Sequence, residues 1–190
     1  LWNGARFAFM NLDGYEPAPV ARDALTVTDR WLLSRLSSVT QQVTGALEAF
    51  RFSEAARTLY DFAWDEFCRF YVEMAKERLQ DPSARPNAQR VLASALDQLL
   101  RLLHPIIPFI SEELWQALGR HAGRRGLNDP QTAAMSIMQA PWPRADTDHQ
   151  DPEIEQRFSR FQEALGAVRE IRSRQNIAPK KRVAFCIRCD

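Results

Sequence analysis

The chain has 190 residues, of which 45% are hydrophobic and 26% are charged, and its formal net charge is +1. A chain of this length can bury its own core, so we expect one large domain, with or without a small appendage. No run of about 18 apolar residues occurs, which excludes a membrane-spanning helix. The three cysteines argue against a secreted disulfide framework. We expect a soluble, cytoplasmic monomer without a membrane partner, in which binding to nucleic acid requires local basic patches.

The first twelve residues, LWNGARFAFMNL, predict an amphipathic helix. One face is apolar, and the other carries Asn3, Arg6, Phe7 and Asn11. Asparagine and arginine side chains can hydrogen-bond base edges or phosphates, and a phenylalanine ring offers a plane for an unstacked base. These four residues are therefore a candidate nucleic-acid site. The alternative is that Phe7 and Asn11 only pack and cap at the rim of a helical bundle.

Five further helices are predicted from apolar positions that recur at helical spacing. Stretches rich in proline, glycine and asparagine separate them. The helices are 29–50, capped by Thr28; 53–79, opened by Ser53; one from Asn87 that stops before Pro105; a short one capped by Ser111, with Glu112 and Glu113 in its first turn; and 151–174.

The segments between and after these helices complete the predicted organisation. Residues 121–134 have the composition of an exposed loop, 136–143 of an extended segment, and 183–190 alternate like a strand. We therefore predict an all-α fold. A helical bundle covers 1–145, and 146–190 adds a helix and a short C-terminal strand, or the start of a small α/β appendage.

The sequence shows no arrangement of residues that supports catalysis or metal binding. The three histidines are far apart in the sequence, and none follows a glutamate at the spacing that di-iron bundles use. There is no phosphate-binding glycine loop, nucleophile elbow or zinc helix. Cys186 and Cys189 form a lone pair, and in a strand they would point to opposite faces. We expect no catalytic residue, no metal and no cofactor in this chain.

Basic residues are clustered in two places. One cluster has a local charge of +5, because its six basic residues are accompanied only by Glu170. Counterion release by lysine and arginine gives such clusters sequence-independent affinity for phosphate, the alternative being a solvated helix end. The six are Arg169, Arg172, Arg174, Lys180, Lys181 and Arg182, and the second cluster is Arg120, Arg124 and Arg125.

The helix predicted at 53–79 has the opposite charge balance. Between residues 54 and 77 it carries six acids against three bases. We expect this acidic face to repel phosphate, so that a strand of RNA crosses elsewhere. Trp64 on this helix lies within an apolar motif, as do Trp31 and Trp115, and all three are predicted to be core residues rather than stacking platforms.

Six segments, in order and covering nearly the whole chain, carry a family resemblance. They are LWNGARFAFMNL at 1–12, DRWLLSRL at 29–36, YDFAWDEFCRFYVE at 60–73, HPIIPFISEELW at 104–115, SIMQAPWP at 136–143 and IRSRQNIAPKKRV at 171–183. Together they resemble the helical anticodon-binding domain of class I aminoacyl-tRNA synthetases of the Val/Ile/Leu group. Three of them fit the valyl members best, and the isoleucyl and leucyl members share the same scaffold.

The resemblance implies a tRNA-binding module whose partners are valine isoacceptors and the catalytic domain of the same parent chain. That domain uses ATP and Mg²⁺ to act as a ligase, and its His-Ile-Gly-His and Lys-Met-Ser-Lys-Ser signatures are absent here. A C-terminal arm is expected beyond residue 190. By resemblance, Phe7 is the aromatic residue that holds an anticodon base, and Arg6, Asn3 and Asn11 are its neighbours. The C-terminal basic cluster is expected to contact the RNA backbone.

Two other functions are compatible with the same helices. The domain could be mainly a structural spacer between the catalytic core and the arm, with little affinity for RNA alone. It could also be a four-helix scaffold with a metal site or a cytokine-like interface, which the missing ligand pairs and the cysteine content disfavour.

Overall fold

The computed structural model describes residues 1–178, 181–184 and 186, and most of these residues are helical. The chain forms two compact units, the first covering Leu1–Gln150 and the second beginning at Asp151. In chain order the α-helices are α1 (Trp2–Asn11), α2 (Val27–Glu48), α3 (Phe52–Asp61), α4 (Val72–Gln80), α5 (Arg85–Leu103), α6 (Pro108–His121) and α7 (Pro152–Arg174). A π-helical segment, Phe62–Tyr71, joins α3 to α4, so the three form one continuous helical run.

The helical run keeps one buried line of residues along its length because of the π-helical segment. Seven small or apolar residues recur every fourth position, and all are buried. In an α-helix each step of four residues turns the line by about 40°. The wider π turns rotate it back, because each contains more residues. The seven are Ala55, Leu59, Ala63, Phe67, Tyr71, Ala75 and Leu79.

The N-terminus of α2 is fixed by a capping box and a buried ion pair. Thr26, and not Thr28 as predicted, is the cap, because its hydroxyl accepts a hydrogen bond from the Asp29 N–H while the Asp29 carboxylate accepts one from the Thr26 N–H. The same carboxylate, 1% exposed, accepts two hydrogen bonds from Arg78 and one from the Tyr71 hydroxyl. This cluster ties α2 to α4.

Helix α5 is buried over most of its surface and forms the centre of the bundle. Proline, whose fixed φ suits a helix start, stands in the first turn of α5 and of α6. The predicted cap Ser111 lies inside α6, where its hydroxyl bonds the carbonyls of the preceding turn and lies 2.8 Å from His104 Nδ1. Because α6 starts at Pro108, Glu112 and Glu113 follow its first turn rather than occupy it.

The segments around α6 are more ordered than the sequence predicted. Within 121–134, an antiparallel pair of two-residue strands, β1 (Arg124–Arg125) and β2 (Gln131–Thr132), replaces the expected exposed loop. The segment at 136–143 begins as a 3₁₀ turn, Ile137–Gln139, and is extended only afterwards. Glu112 holds this turn, because its carboxylate accepts hydrogen bonds from the Ser136 hydroxyl and the Ile137 N–H.

The second unit contains α7, close to the predicted 151–174. Asp151 caps this helix by accepting a hydrogen bond from the Ile154 N–H. The described residues 183, 184 and 186 are not in a strand, and the rest of the predicted strand at 183–190 lies outside the described residues. Across the described residues, no helix is both long enough and apolar enough to cross a bilayer.

Candidate nucleic-acid interface

A cavity of about 570 Å³ lies between α1 and the helical run. We refer to it as the polar cavity, because most of the side chains around it have hydrogen-bonding or charged groups. Its walls include Asn3 and Phe7 from α1 and Trp64, Arg69, Glu73 and Lys76 from the helical run. The cavity is open to solvent, and its size suits a nucleobase or another small planar ring.

Helix α1 approaches the helical run closely because it has small residues on the facing side. Ala5 and Ala8 are completely buried. Gly4 lies against Cys68, and a Cβ at Gly4 would come closer than 3.0 Å to the Cys68 sulfur. Burial raises the pKa of the Cys68 thiol, so the side chain is neutral and packs as a small apolar group. This contact places Asn3 and Phe7 at the rim of the cavity.

A lysine covers the aromatic wall of the polar cavity. The Lys76 Nζ lies 5.6 Å from the centroid of the Phe7 ring and 2.6 Å from Glu73 Oε1. A cation at this distance interacts with the electron-rich face of the ring, which is also the face on which a base would stack. Phe7 is partly exposed, and the neighbour over its ring is a charged, solvent-accessible side chain.

The structure brings together two of the four predicted α1 site residues. Asn3 is exposed and Phe7 half-buried, and both line the polar cavity. Arg6 is exposed on α1 but does not line it. The Asn11 side-chain amide donates to the Phe7 carbonyl at 2.8 Å, and the Asn11 carbonyl accepts from Gln89 Nε2 at 2.7 Å. Asn11 therefore stabilises the end of α1.

Trp64 corrects a prediction, because it is not a core residue. Its side chain is 50% exposed and lines the polar cavity, whereas Trp31 and Trp115 are buried as predicted. The sequence did contain a signal for this difference. Trp64 lies one position beyond Ala63, off the four-residue repeat that marks the buried line of the helical run.

Most acids of the helical run are already paired with bases, so the expected repulsion of phosphate is weaker than predicted. Five of the six acids between residues 54 and 77 lie within 4.0 Å of a basic group. Four of these pairs are about half exposed or more, the Arg35–Glu66 pair is largely buried, and together they cancel much of the local charge. The pairs are Arg51–Glu54, Arg57–Asp61, Asp65–Arg69, Arg35–Glu66 and Glu73–Lys76.

The hairpin formed by β1 and β2 buries one arginine of the second basic cluster and leaves the other two exposed. Arg125 is buried, with its Nε 2.7 Å from Asp97 Oδ1 and its guanidinium 4.1 Å from the centroid of the Trp115 ring. It is therefore unavailable to phosphate. Arg124 is exposed and donates to the Pro130 carbonyl, and Arg120 is exposed on α6.

The C-terminal cluster is accessible where the structure describes it. Arg169, Arg174, Lys181 and Arg182 are exposed. Arg172 is half-buried and donates to the carbonyls of Ala178 and Lys181. Lys180 lies outside the described residues, as does Cys189. Among the described residues, no group of three or more histidine, cysteine, aspartate or glutamate side chains is arranged to hold a metal ion.

Comparison with known proteins gives the family. The family model described as the anticodon-binding domain of tRNA ligase matches residues 29–187. A valine–tRNA ligase of Rhodopirellula baltica is 56% identical over 189 residues, which is all of this chain and 18% of that protein. The valine–tRNA ligase of Carboxydothermus hydrogenoformans is 42% identical over 183 residues, or 96% of this chain and 20% of that protein. The chain thus spans about a fifth of the length of these relatives, and the alignment with the first includes α1.

A solved structure supports the fold. The ternary complex of LeuRS with tRNA and LeuAMS from Agrobacterium radiobacter K84 matches with a TM-score of 0.52 and 21% identity, covering 79% of this chain and 16% of that chain. The all-α architecture predicted from the sequence is therefore confirmed. Together with the family match over most of the chain, this shows that the chain belongs to the anticodon-binding domains of tRNA ligases.

Proposed function

We propose that this domain binds the anticodon loop of valine tRNA and that the polar cavity receives one unstacked anticodon base. The observation that carries the proposal is the pairing of an exposed amide, Asn3, with an accessible ring, Phe7, at the rim of one open cavity. The ring supplies a stacking surface, and the amide can donate to and accept from a base edge. The valine enzymes among the relatives support valine tRNA as the partner.

Entry of a base requires Lys76 to leave the Phe7 ring. The cation–π contact and the Glu73 ion pair are both solvent-accessible, so each contributes little to stability and is easily exchanged. Once displaced, the Lys76 ammonium can pair with the phosphate of the bound nucleotide. The exposed arginines of α7 would add contacts to the RNA backbone outside the cavity.

In the parent enzyme, the proposed role of this domain is to position the tRNA. The catalytic domain would join valine to the acceptor end with ATP and Mg²⁺, and this chain would contribute no catalytic residue. Recognition at the anticodon, far from the reacting atoms, then serves substrate selection. We propose that the domain acts within a monomeric enzyme.

The experiment measures the affinity of the domain for a valine anticodon stem-loop by fluorescence anisotropy. Phe7→Ala removes the stacking surface, and loss of one base–aromatic stack of about 1–3 kcal/mol predicts a roughly 5- to 150-fold weaker complex. Met10→Ala is the matched control, because Met10 is 75% exposed on the same helix and does not line the cavity. Circular dichroism verifies that both variants remain folded.

Two results would contradict the proposal. If Phe7→Ala binds the stem-loop as tightly as Met10→Ala, Phe7 is not in the site. If the unaltered domain shows no binding that weakens steeply with rising salt, it acts as a spacer rather than an RNA-binding module. Competition with an isoleucine anticodon stem-loop tests the valine assignment, and equal affinity for both loops would reject it.

A further inference from the structure

A second cavity of about 570 Å³ adjoins the polar cavity on the helical run. We refer to it as the apolar cavity, because its walls are almost entirely hydrocarbon and aromatic side chains. They include Tyr60 and Trp64 from the helical run, Leu103 at the end of α5, and Ile106 and Ile107 in the connection that follows. Arg57 is the charged residue at its edge.

The two cavities share one wall, which is the side chain of Trp64. Trp64 is 50% exposed, and Tyr60, four residues earlier, is 63% exposed. Large aromatic side chains are normally buried because each carries a large apolar surface. Two such rings, exposed one turn apart, line this cavity beside the one already proposed to hold a base.

We propose that the apolar cavity is a second nucleobase subsite, which holds the nucleotide next to the one in the polar cavity, with Trp64 between the two bases. This inference rests on the proposed function, because it concerns the same RNA loop. Stacking on tyrosine and tryptophan accepts any base, since every base has a π face. Arg57, whose side chain is 86% exposed, lies at the edge where a phosphate of the same nucleotide could pair with it.

The chemical contrast between the cavities predicts different roles in recognition. The polar cavity has Asn3, Glu73 and Lys76, which can distinguish donors from acceptors on a base edge. In the apolar cavity the side chains named above offer only two neutral polar groups, the Tyr60 hydroxyl and the Trp64 indole N–H, and the charge of Arg57. The first subsite therefore determines which base is bound, and the second adds affinity without selecting a base.

The test combines three variants with stem-loops that carry one abasic nucleotide at each anticodon-loop position in turn. The variants are Phe7→Ala, Tyr60→Ala and Trp64→Ala, and each is measured against every RNA as a double-mutant cycle. We expect Phe7 to couple with one position, Tyr60 with an adjacent position, and Trp64 with both. Each coupling should change affinity by about fivefold or more, the effect of one lost stack.

The matched control is Phe52→Ala. Phe52 is 60% exposed on α3 and lines neither cavity, so it should couple with no position. Trp64→Phe keeps an aromatic wall and should restore most of the affinity lost in Trp64→Ala. Thermal unfolding of each variant identifies any loss caused by misfolding instead of a lost contact.

The failure of this inference can be distinguished from failure of the proposed function. If Phe7 couples with one position while Tyr60 couples with none, the anticodon site stands and the second subsite is rejected. If Tyr60 and Phe7 couple with the same position, the two cavities hold one base and the inference is also wrong. Repeating the Tyr60 cycle in the full-length parent enzyme should preserve the coupling, and its loss would assign the apolar cavity to another segment of that enzyme.

Discussion

Two polar regions on the helical run differ in how completely their groups are paired. At its end, Asp29, Tyr71 and Arg78 form a closed cluster around the Thr26 cap, with the carboxylate 1% exposed. Burial, and next the charge of Asp29, raise the pKa of the Tyr71 hydroxyl well above its ordinary value, so it remains a donor. Burial opposes the charge on Arg78, but the hydrogen bonds and charge of Asp29 outweigh it and raise the pKa of the guanidinium.

The polar cavity overlaps this cluster along the same run, from Trp64 to Lys76, but its charged and polar side chains are less completely paired. Asn3 is exposed, and the Lys76–Glu73 pair is open to water. A ligand therefore finds hydrogen-bonding groups that are not committed to the fold. Charge density alone therefore does not single out a candidate binding surface, and our proposal rests on exposed groups beside an accessible aromatic ring.

The largest expected effect comes from opening the closed cluster with Asp29→Ala. This variant leaves Arg78 partly buried without its carboxylate and removes one half of the capping box. Breaking a buried ion pair by removing one partner predicts a loss of about 3–5 kcal/mol in the free energy of unfolding. Urea denaturation followed by circular dichroism measures it.

Asp65→Ala is the matched comparison for Asp29→Ala. Asp65 also pairs with an arginine, Arg69, but both side chains are more than half exposed. The expected loss is below about 1 kcal/mol, the usual worth of an exposed pair. Equal losses for the two variants would show that the closed cluster is no more important to the fold than a surface ion pair.

The next largest effect is expected in the hairpin formed by β1 and β2, where two adjacent arginines can be compared. Arg125→Ala leaves Asp97 with Arg101 as its remaining partner and exposes the face of Trp115, which predicts a loss of about 2–3 kcal/mol. Arg124→Ala removes an exposed side chain and should stay within about 0.5 kcal/mol of the unaltered protein. Thermal and urea unfolding measure both variants. A larger loss for Arg124→Ala would contradict the burial pattern.

These two arginines illustrate what the sequence could and could not predict. The helices were predictable because their apolar residues recur at helical spacing, and α7 and α1 begin and end within one or two residues of the prediction. Arg124 and Arg125 have the same chemistry, and only the alternation of a two-residue strand turns one of them inward. The burial of one arginine depends on partners that are distant in the sequence, and a local sequence pattern carries no information about them.

At the candidate site, too, part of the arrangement was predictable from the sequence and part was not. Phe7 and Asn3 were predicted to lie on one face, and they do line one cavity. The exposure of Trp64 was missed because its apolar neighbours suggested burial, whereas the four-residue repeat leaves it outside the buried line. For Asn11 the sequence left two alternatives, contact with a base or capping at the rim of the bundle, and the structure shows its amide bonded to the Phe7 carbonyl.

The smallest effect is expected for Gly4→Ala, which tests whether the close approach of α1 to the helical run shapes the polar cavity. The added methyl group would overlap the Cys68 sulfur, so the Cys68 side chain must rotate or α1 must move away from the helical run. Overpacking costs about 1–3 kcal/mol, and the higher helix propensity of alanine offsets about 1 kcal/mol of it, which leaves a net loss of roughly 0–2 kcal/mol. Because Phe7 and Asn3 move with α1, the affinity for the stem-loop should fall as well.

Two comparisons isolate this close approach from the general effect of replacing a glycine. Gly45→Ala, in the last turn of α2, adds a methyl group with no atom within 4 Å and should stabilise the protein by up to about 0.5–1 kcal/mol. In a Cys68→Ala background the sulfur is gone, so Gly4→Ala should change from destabilising to neutral or slightly stabilising. If Gly4→Ala stabilises as much as Gly45→Ala while Cys68 is present, the two helices do not require this contact. The position of Asn3 and Phe7 would then have to depend on the buried alanines of α1 alone.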